Sequence, residues 1–129
     1  MTNAIDGTPL VLVVDNDRDT LVLYERVFSS SGFRVRAAAD AADGLRCARA
    51  LLPAVIVMDL SLPGAMNGGD LIRAIRADAA TRDIPILIVT GYQLNAAPDL
   101  QVAEVLLKPV SPRTLVSRVR TVLAGAEEA

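Results

Sequence analysis

The stretch Ala54-Val55-Ile56-Val57-Met58-Asp59-Leu60-Ser61-Leu62-Pro63 decides how the chain is read. Its first five residues are apolar with no polar alternation. That pattern predicts a strand covered on both faces, as in a parallel sheet. The run then delivers one carboxylate, Asp59, and Pro63 keeps the exit loop from continuing the strand. In open α/β sheets, residues just past the carboxyl ends of the strands line the binding crevice, so Asp59 is the first candidate for chemistry.

Working outward, four more short apolar runs appear at residues 10–14, 33–37, 84–89 and 102–107. Residues 33–37 alternate, which predicts a position nearer an edge. Between the runs lie helical patterns. Residues 19–30 place Leu21, Val22, Tyr24, Val27 and Phe28 along one side, with Gly32 as the stop. Asp40 can cap a helix carrying Leu45, Ala48 and Leu52 that Pro53 ends. A third pattern, residues 69–80, spaces Leu71, Ile72 and Ile75 for burial. Ser111-Pro112 reads as an N-cap with proline at the first helical position, ahead of Leu115, Val116, Val119, Val122 and Leu123. Strand and helix alternate throughout, predicting one doubly wound α/β domain with right-handed crossovers. Residues 91–100 leave room for only a turn or two of helix.

Composition narrows the function. The 129 residues are 52% hydrophobic, enough for one compact core. A net charge of −2, with Lys and Arg scattered, disfavours direct nucleic-acid or anionic-membrane binding. No apolar run approaches membrane-spanning length, and residues 1–9 are polar, reading as a flexible tail rather than a signal peptide. Cys47 is the only cysteine, which suits a reducing, cytoplasmic setting. There is no histidine, so histidine-based nucleophilic catalysis and most zinc sites are excluded.

The predicted strand ends then converge. The first run ends in Asp15-Asn16-Asp17, the third in Asp59, the fourth in Thr90 and the fifth in Lys108. Two carboxylates with an amide between them form an all-oxygen site suited to Mg²⁺. An ammonium and a hydroxyl opposite can hold phosphoryl oxygens while a carboxylate acts as nucleophile.

With these residues in place, the chain resembles, over nearly its whole length, the receiver domains of two-component response regulators. The resemblance runs through Val13-Val14-Asp15-Asn16-Asp17, Met58-Asp59-Leu60-Ser61-Leu62-Pro63-Gly64, Val89-Thr90-Gly91 and Leu107-Lys108-Pro109. It implies a flavodoxin-like five-stranded parallel sheet of order 2-1-3-4-5. The expected receiver domain covers residues 10–125, followed by a tail at 126–129, and the short spacing at 91–100 predicts a short or irregular fourth helix. Asp59 would accept a phosphoryl group from a phosphohistidine on a sensor histidine kinase or a histidine phosphotransfer protein. Thr90 and Lys108 would contact that group. Mg²⁺ would sit on Asp15, Asn16, Asp59 and the Ser61 carbonyl, and Lys108-Pro109 would be a cis peptide. The output would be an unidentified downstream protein, and the sequence leaves open a weak homodimer.

The sequence departs from the family's pattern in four places. Asn16 stands where the second acid is expected, with Asp17 next to it as a compensating carboxylate. Val105 replaces the usual aromatic, residues 64–69 make the loop after Asp59 about one residue long, and the segment from Thr90 to Lys108 is short. Tyr92 and Ser61 match positions that tune hydrolysis in the family, with the Tyr92 ring expected to shield the acyl phosphate. These departures sustain an alternative reading, a pseudo-receiver that binds proteins without phosphate control. A third reading is a haloacid-dehalogenase-like phosphatase with Asp15 as nucleophile, which lacks a further acidic pair on a later strand end.

Overall fold

The structure is a computed structural model that describes residues 4–5, 7–91 and 101–128. In chain order the elements are β1 (Ala4–Ile5), β2 (Thr8–Val14), α1 (Arg18–Ser30), β3 (Arg34–Ala38), α2 (Ala41–Leu51) and β4 (Val55–Met58). They are followed by α3 (Gly68–Ala77), β5 (Ile86–Thr90), β6 (Glu104–Leu107) and α4 (Pro112–Glu128). The five parallel strands lie in the order β3-β2-β4-β5-β6, which is 2-1-3-4-5 by rank in the chain, as the resemblance implies.

The unbroken apolar runs are explained by the two layers. Leu12, Val14, Ile56, Met58, Ile86 and Ile88 point to one face, where α2 and α3 bring Leu45, Leu71 and Ile75. Their strand neighbours Val11, Val13, Val55, Val57, Leu87 and Val89 point to the other face, against Phe28 of α1 and Leu115 and Val119 of α4. Period-two alternation thus feeds two cores from one strand, so every residue of β4 is buried. The outer strands need less cover. β3 pairs only with β2, as its alternation predicts, and β6 leaves Val105 and Leu107 exposed.

Local sequence sets the helix ends. Asp40 caps α2 by accepting from the Asp43 amide, and Leu52 ends it in the left-handed region at φ 46°. α3 spans Gly68–Ala77, not 69–80. Asn67 and Asp70 form a reciprocal capping box at its start. At its end Asp78 turns extended, and its side chain accepts from the Ala80 amide, a local bond that competes with helix.

Two expected tails are structured in part. Ala4–Ile5 pairs antiparallel with Thr8–Pro9, because Gly7 at φ 77° lets the chain reverse, so β2 begins before residue 10. α4 continues through residues 126–128, where Ala126 and two glutamates favour helix and no proline intervenes. The short or irregular fourth helix and Tyr92 fall at residues 92–100, outside the described residues. Among the described residues no helix is long and apolar enough to cross a membrane.

Candidate functional site

The sheet ladder is what brings the polar residues together. Val14 and Met58 are register partners on adjacent strands, so Asp15 and Asp59 leave the sheet side by side. Backbone bonds carry the ladder one residue further: Asp15 N donates to Ala38 O at 3.1 Å, Asp59 N to Val14 O at 3.0 Å, and Lys108 N to Thr90 O at 2.8 Å. Three of the site's side chains therefore spring from backbone held as firmly as the strands themselves. The Lys108-Pro109 peptide is cis, as expected.

Asp15 is 2% exposed and Asp59 8%, and each carboxylate is held in the same way. Asp15 Oδ1 accepts from the Asp17 amide at 2.8 Å, and Asp59 Oδ1 accepts from the Ser61 amide at 2.9 Å. These bonds to the backbone two residues on fix each side chain's rotamer. The two Oδ2 atoms then share one ammonium: Lys108 Nζ stands 2.8 Å from Asp59 and 3.2 Å from Asp15. Burial opposes the charge on Lys108. The hydrogen bond it donates to Asp59 and the field of Asp15 outweigh it, holding the ammonium above the ordinary lysine value. Lys108 is the chain's only lysine, a signal available in the sequence.

Thr90 is fully buried at the end of β5, opposite Leu107 and one residue from Lys108 in register. Asn16 and Asp17 are exposed. Asp17 Oδ2 accepts from the Thr20 hydroxyl at 2.5 Å, which holds its carboxyl below the usual carboxylate range. That bond engages Asp17 with the first turn of α1. Ser61 contributes its amide to Asp59 while its residue surface is exposed. The phenol of Tyr24, a buried residue, is pushed up by burial and shares the field of Lys108, Asp15 and Asp59.

Among the described residues no three histidine, cysteine or acidic side chains cluster as a metal group. The donors at hand are instead two carboxylates, with an amide oxygen and a backbone carbonyl next to them in sequence. Hard oxygen donors with only one or two carboxylates fit Mg²⁺, which keeps several waters.

Comparison with known proteins places this geometry. The sequence profile of the response regulator receiver domain matches residues 11–120. The chain belongs to the response regulator receiver family. Among its relatives, the transcriptional regulatory protein PrrA of Mycobacterium tuberculosis is 35% identical over 124 residues, covering 90% of this chain and 50% of PrrA. The DNA-binding response regulator MtrA of Mycolicibacterium smegmatis is 32% identical over 126 residues, covering 92% and 52%. The receiver chain thus spans about half the length of these relatives. Of solved structures, a putative response regulator from Chloroflexus aurantiacus is 30% identical with a TM-score of 0.83, covering 91% of this chain and 98% of that one. The chemotaxis protein CheY4 of Vibrio cholerae matches at 25% identity and a TM-score of 0.83, covering 90% and 99%. Receivers are signalling switches rather than conventional enzymes, and the family assignment does not support the phosphatase reading. Nor do DNA-binding relatives support the expectation that this receiver's protein avoids nucleic acid.

Proposed function

We infer that Asp59 accepts a phosphoryl group from a phosphohistidine on a sensor histidine kinase or a histidine phosphotransfer protein. The observation that carries this reading is the Lys108 ammonium bridging two buried carboxylates at the ends of adjacent strands. A carboxylate oxygen of Asp59 forms the new P–O bond as the P–N bond of the donor breaks, and the electron pair leaves with the imidazole. Lys108 then pairs with phosphoryl oxygens, and the Thr90 hydroxyl hydrogen-bonds them. Asp15, Asp59, the Asn16 amide oxygen and the Ser61 carbonyl would hold Mg²⁺, which when bound neutralises phosphoryl charge. A receiver domain from a Pseudomonas aeruginosa sensor histidine kinase carries a magnesium ion in its active-site cleft and has the same fold at a TM-score of 0.83.

The setting is cytoplasmic, and the output is a conformational signal passed to a downstream protein or to a DNA-binding region such as those of its relatives, with a weak homodimer as a further element. Intact mass after incubation with acetyl phosphate and Mg²⁺ tests the reading, with Asp59→Ala beside wild type. A gain of one phosphoryl group in wild type alone is expected. No gain in a folded sample, with a phosphohistidine donor also tried, would refute it. The pseudo-receiver reading is favoured by one observation, the exposed Asn16 beside an Asp17 engaged by Thr20. Failure of Mg²⁺ to bind would select it.

A further inference from the structure

Gly68, the first residue of α3, is buried against the strand end that carries Asp59. A Cβ placed there would lie 2.3 Å from the Leu60 carbonyl oxygen and 2.8 Å from Leu60 C and Cα. All three are backbone atoms, so no change of rotamer relieves the clash. Either α3 or the Leu60–Ser61 backbone must retreat by about 1 Å to reach an ordinary C···O contact. Gly68 is not at positive φ, so the need is for space rather than for a special dihedral. Gly69 is different. A Cβ there meets only side-chain atoms, the Arg73 guanidinium at 3.3 Å and Asn67 Oδ1 at 3.4 Å.

Leu60 sits at a sensitive point. It follows Asp59 directly, its carbonyl accepts from the Leu62 amide at 3.1 Å, and the next amide, Ser61, donates to Asp59 Oδ1. The capping box of Asn67 and Asp70 holds the start of α3 against it. We propose that Gly68 is a positioning residue for the phosphoryl-accepting carboxylate. By letting α3 rest on the Leu60 backbone, it keeps the Ser61 N–H on Asp59 Oδ1 and leaves Oδ2 turned to Lys108. The proposal rests on the reading of Asp59 as acceptor.

The test compares wild type, Gly68→Ala and Gly69→Ala, both substitutions adding one methyl group to the first turn of α3. Two quantities are measured: the rate of phosphorylation by acetyl phosphate with Mg²⁺, and the Ser61 amide proton shift in metal-free protein. Gly69→Ala should match wild type in both. Gly68→Ala should slow phosphorylation roughly 10- to 100-fold, the cost of an ångström-scale misplacement. Its Ser61 amide proton should move upfield as the bond to Asp59 is lost. A Gly68→Ala protein with the wild-type rate, or with an unmoved Ser61 amide, overturns the proposal. If wild type itself is not phosphorylated, the acceptor reading fails, and the Ser61 shift alone decides the positioning role. Should Gly68→Ala not fold, Asp70→Ala opens the capping box and loosens the same seat without adding an atom. It should shift the Ser61 amide the same way and slow the reaction several-fold, and no change in either overturns the proposal.

Discussion

Replacing Lys108 with methionine isolates what the ammonium does before any phosphoryl group arrives. Methionine keeps an unbranched stem of similar length, so packing is largely retained while the charge is lost. Asp15 Oδ2 and Asp59 Oδ2 lie 3.2 and 2.8 Å from Nζ, which puts them no more than 6.0 Å apart, the sum of the two contacts. Two unit negative charges at that separation repel by about 3 kcal/mol at an effective dielectric of about 20. That figure meets the lower end of the roughly 3–5 kcal/mol seen when one partner of a buried pair is removed. For a domain of this size it corresponds to a fall of about 10 °C in melting temperature. Circular dichroism melts at pH 7.5 in EDTA should show this deficit. It should shrink when millimolar Mg²⁺ is added, because a cation again stands between the carboxylates, and it should shrink likewise in the Asp15→Asn/Lys108→Met double variant. If Lys108→Met melts with wild type in EDTA, or if neutralising Asp15 does not rescue it, the carboxylates are not coupled as the distances require.

Asn16→Asp should tighten Mg²⁺ binding at least roughly tenfold by adding a charged oxygen ligand, measured by calorimetric titration; unchanged affinity would remove residue 16 from the metal site. Lys108 and Tyr24 both have folded values raised above their unfolded ones, so each contributes stability that is complete below about pH 10 and is lost as pH rises through the folded value. Denaturant midpoints should therefore fall above about pH 10, and the fall should be shallower in Lys108→Met. Asn67→Ala removes a cap bond of 2.9 Å to the Asp70 amide and should cost about 1 kcal/mol in chemical unfolding.

Much of the architecture was present in local pattern. The unbroken Val55–Met58 run could be buried only by cover on both faces, and the alternating strand at 33–37 did take the edge. The pairing of Asp59, Asp15 and Lys108 at one rim followed from strand-end positions alone. The Asn67-x-x-Asp70 box was equally readable, since its spacing is the helix turn itself, although residues 69–80 drew attention to the apolar face instead. The hairpin of Ala4–Ile5 on Thr8–Pro9 was hidden because polar composition says little about whether a glycine turn will find a strand edge to join.

What the sequence determined by itself is what depends on near neighbours: helix starts, strand periodicity, and which chemical groups stand at each strand end. Tertiary structure alone decided how those groups are committed. Lys108 could have reached solvent, but the strand order puts its ammonium between two carboxylates. Gly68 and Gly69 are adjacent residues of one type, and only the approach of α3 to Leu60 separates them. Distances between chain-distant atoms, a few tenths of an ångström either way, set these outcomes, and no local pattern encodes them.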